Sequence, residues 1–135
     1  MAFEQAISQK AGRTSNEGLS YPERVVLAVE ALEREVNNGG YDQFLANSSR
    51  EFAPTIVDCL KRIGCKKAAS ITQKAINSLG VSELTVDAID TAMATDDEQR
   101  QKTFAQCDDA YYKNAEPIAE RLFAFIKANK AGISL

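Results

Sequence analysis

The side chains with the most chemical potential in this sequence are three cysteines, Cys59, Cys65 and Cys107, and a scatter of carboxylates. Cys65 follows Gly64 and precedes Lys66-Lys67 at an expected helix start, a setting in which cationic neighbours and the helix dipole lower a thiol pKa. Glu35, Asp42 and Asp108 are the carboxylates that could carry acid–base chemistry. The chain contains no histidine. That removes the usual general base, the usual switch near neutral pH and the commonest transition-metal ligand together. Cys59 and Cys107 fall on apolar stripes, as small hydrophobes do. An odd cysteine count without C-x-x-C spacing argues against both a disulfide framework and a zinc site. The expectation is a chain that is not an enzyme and holds no metal and no cofactor. The enzyme alternative rests on the three carboxylates or on Cys65.

Those side chains need elements to position them, and helical periodicity runs through almost every segment, with no sustained two-residue alternation. With 135 residues, 44% of them hydrophobic and 26% charged, the chain is large enough for one core without staples. The reading is all-α: a single compact domain over 1-135, with six to eight helices arranged as packed αα-hairpins. Residues 1-19 carry only Phe3 and Ile7 as a stripe before the polar run from Gly12 to Gly18, so that segment is expected to be loosely ordered and the core to span 20-130. No apolar run approaches the roughly 20 residues of a membrane span. The start lacks a basic stretch followed by an apolar one, so no secretory signal is expected and the cytoplasm is the expected compartment.

Ser20-Tyr21-Pro22-Glu23 has the form of a capping box with proline in the first turn. Val25, Val29, Leu32 and Val36 then trace one helix face, with Glu30, Glu33 and Arg34 turned away. The run stops at Asn37-Asn38-Gly39-Gly40, where one residue can take a left-handed cap and let Tyr41, Phe44 and Leu45 start a short helix at a new angle, closed by Asn47. Ser48 or Ser49 is expected to cap a helix carrying Phe52, Ile56, Cys59, Leu60 and Ile63, with Pro54 in its first turns. Gly64-Cys65 joins it to an antiparallel neighbour, Lys66 to Leu79, ended by Gly80. Val86, Ile89 and Met93 mark a short helix. Thr95-Asp96-Asp97-Glu98 reads as a second capping box, opening a helix through Phe104, Cys107, Tyr111 and Tyr112. Ile118, Leu122, Phe125 and Ile126 form the last stripe.

The run Glu35-Val36-Asn37-Asn38-Gly39-Gly40-Tyr41-Asp42-Gln43-Phe44, with Asn47, resembles the signature E-V-N-N-G-G-[FY]-x-Q-[FY] of a bacterial all-helical family, largely of unknown function, whose best-known member is a DNA mimic. Asp108-x-x-Tyr111-Tyr112 and the closing helix are similar to that family's second, weaker pattern, so the resemblance covers roughly Ser20 to Lys130. It implies a helical protein-binding module of the kind in which acidic side chains stand in for phosphates before a DNA-binding regulator.

Duplex DNA carries about one negative charge per ~1.7 Å of axis, whereas this chain totals −3. The charge is uneven. From Glu83 to Arg121 ten acids face four bases, a net of −6, and from Arg50 to Gly80 six bases face two acids, a net of +4. Acids followed four residues later by a base, as in Glu30/Arg34, Asp58/Arg62, Glu98/Lys102 and Asp109/Lys113, suit ordinary solvated helix faces. Asp87, Asp90, Asp96, Asp97 and Glu116 remain as unpaired candidates for contact with a partner. Asp96 to Glu98 also suit the positive end of a helix. The amides around the turn suit internal caps. Lys61-Arg62 and Lys66-Lys67 lack the interleaved aromatics of a nucleic-acid surface, so no direct nucleic acid is expected.

The expected partner is therefore another protein. It is a DNA-binding regulator in one reading, or a toxin neutralised by an immunity or antitoxin protein in the other. Tyr111, Tyr112 and Phe123 offer more aromatic surface than one stripe buries, which suggests a homodimer.

Overall fold

The computed structural model describes residues 20–129, so the expectation for residues 1–19 lies outside the described residues. Six α-helices follow in order: α1 Tyr21–Ala46, α2 Ile56–Arg62, α3 Lys66–Asn77, α4 Val86–Ala94, α5 Glu98–Lys113 and α6 Ile118–Ala128, with a 3-10 turn, Ser48–Phe52, between the first two. The described residues contain no strand, and the all-α reading holds. No helix among them is long and apolar enough to cross a membrane.

α1 begins as its sequence dictates. Ser20 Oγ accepts from Glu23 N at 3.3 Å and Glu23 Oε1 accepts from Ser20 N at 3.0 Å, so both halves of the capping box are made. The stripe expected on one face widens: Val26, Leu27, Ala28 and Ala31 are buried along with Val25, Val29, Leu32 and Val36. A helix that is apolar around most of its circumference belongs at the centre. The 3-10 turn, α2, α4, α5 and α6 all pack against it. Full burial of a side chain such as Leu32 or Phe44 contributes about 1.5–3 kcal/mol.

The expected break occurs inside α1. Gly39 has φ −152° and ψ 15°, and Gly40 has φ 76° and ψ −173°. These two residues turn the chain between an arm over 21–38 and a short arm over 41–46. Gly40 takes the left-handed role, where an L side chain is disfavoured.

Among sequence-adjacent α-helices, α2 and α3 pack on each other most extensively. α4 and α6 lean chiefly on α1, and α5 lies against both α3 and α1. Packing of sequence neighbours is thus strongest at α2–α3, and elsewhere the helices gather around central α1.

Two caps differ from expectation. Ser49 starts no helix; its hydroxyl donates to Phe44 O at 2.7 Å and closes the end of α1. Ser48–Phe52 winds as a 3-10 turn, and α2 waits until Ile56. Pro54, which has no N–H to donate, lies between them. At the other site the cap is Asp97, not Thr95: Asp97 Oδ1 accepts from Arg100 N at 3.0 Å, while Thr95 ends α4. Aspartate ranks above threonine as an N-cap, which decides between two candidates two residues apart.

Candidate functional site

The acidic stretch after Glu83 was expected to supply a contact surface, and its carboxylates separate into those engaged internally and those that are not. Asp90 forms an ion pair with Arg50, with Nε–Oδ1 at 2.6 Å and a second bond from Nη2 to Oδ2 at 3.3 Å. This ties α4 to the 3-10 turn. Asp97 is the N-cap of α5. Glu116 is the most heavily engaged: its Oε1 accepts from Ala68 N at 2.8 Å and Asn114 Nδ2 at 2.9 Å, and its Oε2 accepts from Lys67 N at 3.0 Å. Arg121 Nη1 lies 3.5 Å from Oε2. Glu116 thus caps α3 from a distant part of the chain, satisfying N–H groups that Cys65, the α3 N-cap, leaves open. Burial pushes its carboxyl up, but these hydrogen bonds and the guanidinium outweigh that and leave it below the ordinary value. Three of the five carboxylates expected to be unpaired therefore have internal partners.

Asp87 and Asp96 are exposed and enter no ion pair among the described residues, and Glu83 and Glu98 join them. Of the local pairs expected to cancel charge, Asp109–Lys113 closes at 2.9 Å, but neither Asp58–Arg62 nor Glu98–Lys102 does. Arg62 instead lies 6.0 Å from the centre of the Phe125 ring. Glu83 and Asp87 line an open groove of about 600 Å³ along α4, with Ser82, Thr85, Thr91 and Thr95. Behind it, Arg100 is buried and donates to Ala92 O at 2.8 Å and Thr95 O at 2.6 Å, capping the end of α4.

The run from Glu35 to Phe44 packs and hydrogen-bonds against α5. Asp108 of α5 accepts from Tyr41 N at 2.8 Å and so caps the short arm of α1. A Cβ on Gly40 would fall onto that carboxylate. Tyr41 is buried; its hydroxyl meets Thr72 Oγ1 of α3 at 2.8 Å, and its ring stands edge-on to Tyr111 at 6.0 Å between centroids. Tyr111 donates to Glu33 Oε2 at 2.5 Å and Tyr112 donates to Val36 O at 2.6 Å. Glu33 therefore does not face away; Asn37 Nδ2 also donates to it at 3.1 Å. Glu35 spans the kink, accepting from Gln43 Nε2 at 2.5 Å and Asn47 Nδ2 at 3.4 Å. Phe44 is buried, while Asn38 is exposed at the outside of the bend. The two sequence patterns are two sides of one joint.

That joint accounts for the candidate catalytic groups. Glu35 and Asp108 hold backbone and amide donors, and with Asp42 they lie outside the lining of the α4 groove. Burial raises the Asp108 carboxyl, against the bond from Tyr41 N, and Asp42 adds to the rise. Cys65 is buried, not presented. Its thiol is pushed up first by burial and then by the Glu116 carboxylate, against the opposing pull of Arg121. Burial likewise pushes Cys59 up to about 11 and raises Cys107. No group of three or more Cys, Asp or Glu suited to a metal ion occurs among the described residues.

The family model described as DMP19-like protein matches residues 17–129. The chain belongs to the DMP19-like family. No curated protein and no solved structure matches it. The matched span of this DMP19-like chain takes in both halves of the kinked joint, all six helices and the acidic stretch after Glu83. Of the aromatic residues near its C-terminus, Tyr111 is buried, Tyr112 is 55% exposed with its hydroxyl engaged, and Phe123 is 45% exposed beneath the Lys127 ammonium at 4.5 Å.

Proposed function

We propose that this DMP19-like chain is a non-catalytic protein-binding module of the DNA-mimic type, which occludes a DNA-binding protein through the carboxylates around α4 and the start of α5. The observation that supports it is the separation just described: Asp87 and Asp96, with Glu83 and Glu98, lie exposed and outside every ion pair among the described residues, while neighbouring acids are held by internal donors. Exposed like charges gathered at one corner build a field that steers a basic partner, and local pairing would have cancelled it. Membership in the family points the same way. Contact is expected at Asp87 and Asp96. Asp90, Asp97 and Glu116 have structural duties that leave them less free to meet a partner.

The test is capture from native lysate with mass spectrometry, comparing the wild-type chain with D87K/D96K. Recovery of a DNA-binding protein that duplex DNA competes away, and that the variant fails to hold, supports the reading. Recovery insensitive to both charge reversals defeats it. Recovery of a toxin instead selects the immunity or antitoxin alternative.

A further inference from the structure

A different feature lies on the α2–α3 pair. Between α2 and α3 runs a groove of about 340 Å³ with Val57 and Ala69 in its wall and a lysine from each helix, Lys61 and Lys74, on its border. No carboxylate lines it. Neither lysine, nor Arg62, Lys66 or Lys67 nearby, forms an ion pair among the described residues. The four lysines of this helix pair are thus without counter-ions among the described residues, while Arg62 is engaged over the Phe125 ring.

The remaining polar groups of the groove, Ser70, Gln73 and Asn77, are neutral and add further donors. Gln73 Nε2 donates to Asn77 Oδ1 at 2.8 Å, which uses the acceptor of Asn77 and leaves its Nδ2 as a free donor. Lys74 Nζ is steadied at 3.4 Å by Gln106 Oε1 of α5, a neutral partner that leaves its charge uncompensated. Ser70 adds a hydroxyl on the same border. Two ammonium groups, an amide donor and a hydroxyl around a small apolar wall form a donor-rich cleft whose volume lies at the lower end of the range for small-molecule sites. Ammonium groups are compact point charges suited to phosphate.

We infer that the α2–α3 groove binds a small phosphorylated anion, held between Lys61 and Lys74 with Asn77 as a further donor. The site is separate from the acidic corner and does not depend on the DNA-mimic reading.

Calorimetric titration of the full chain with inorganic pyrophosphate, with succinate as the carboxylate comparison, tests this, and amide shifts locate the site. Saturable 1:1 binding of pyrophosphate, shifts centred on Ala69 to Asn77, and a loss of about tenfold in affinity for K61Q and for K74Q support it. The two lysines are exposed, so these variants keep the core intact. Equal binding of succinate overturns the phosphate assignment. No saturable binding, or an equal loss in K66Q/K67Q showing charge attraction without a site, overturns the inference altogether.

Discussion

The joint between α1 and α5 and the acidic corner at α4 are both rich in carboxylates, yet they use them in opposite ways. At the joint, Glu33, Glu35 and Asp108 each receive donors from Tyr111, Gln43 or Tyr41. At the corner, Asp87 and Asp96 face solvent. A carboxylate inside a shell of donors fixes backbone geometry, and one without donors leaves its field to act outward. The carboxylates around the Gly39-Gly40 break therefore hold the chain together, and the residues proposed to act on a partner lie elsewhere in the family-matched span.

The contrast predicts where damage falls, and the largest effect is expected at Gly40. Alanine there meets both a positive φ and the Asp108 carboxylate, so G40A is expected to cost about 2–4 kcal/mol in urea unfolding. Gly39 has no positive φ, its value being −152°, but a Cβ there would meet Gln43 as far in as its own Cβ at 2.8 Å, so Gln43 must shift. G39A in a Q43A background removes most of that obstruction, and a loss there as large as in G40A would remove the left-handed turn from the account.

Asp108 and Glu116 come next, and they titrate with opposite signs. D108A is expected to lose about 1–2 kcal/mol, as for other lost caps, whereas D108N keeps an acceptor for Tyr41 N. Because burial holds Asp108 above its ordinary 3.8, the folded chain binds that proton more tightly than the unfolded one. Its charge costs stability at neutral pH, and the cost is relieved as pH falls through the raised folded value towards 3.8, below which no further gain accrues. In D108N that component disappears.

Glu116 behaves inversely. Its depressed folded value gives stability that is complete above the ordinary 4.5 and is lost as pH falls through the folded value. E116A is expected to cost about 1–2 kcal/mol at pH 7, because it leaves the Lys67 and Ala68 amides without their acceptor. Urea midpoints of each variant against wild type across pH 3–7 separate the two signs.

Much of this was legible in the sequence wherever local chemistry decides. The capping box at Ser20, the break at Gly39-Gly40 and the stripe of Ile118, Leu122, Phe125 and Ile126 are each specified within a few residues. What stayed hidden was long-range pairing. Glu33 reads as a solvent residue until Tyr111, 78 positions away, donates to it. Glu116 reads as an unpaired acid until the start of α3, 48 and 49 positions back, is brought to it. The i,i+4 spacing suggested charge cancellation at Glu98 and Asp58, but exposed pairs of that kind gain too little to hold two long side chains in one geometry. The α2–α3 groove was readable only as a basic stretch, since its donor set depends on which helix faces meet.

The smallest effect on stability is expected at Asp87 and Asp96, and it tests the comparison most directly. Neither side chain has an internal partner among the described residues, so D87N/D96N is expected to shift unfolding by less than about 0.5 kcal/mol in either direction. Removing two like charges relieves mutual repulsion, but it also takes Asp87 from the first turn of α4 and Asp96 from just before α5, where a negative charge suits the helix dipole, so the two effects oppose and the net stays small. If the double variant unfolds as readily as E116A, these carboxylates are bound into the fold after all, and the division between a donor-saturated joint and an outward-acting corner fails. If its stability is untouched while a basic partner is lost, and E116Q compared under conditions where it stays folded keeps that partner, then stability and recognition reside in different carboxylates of the same segment.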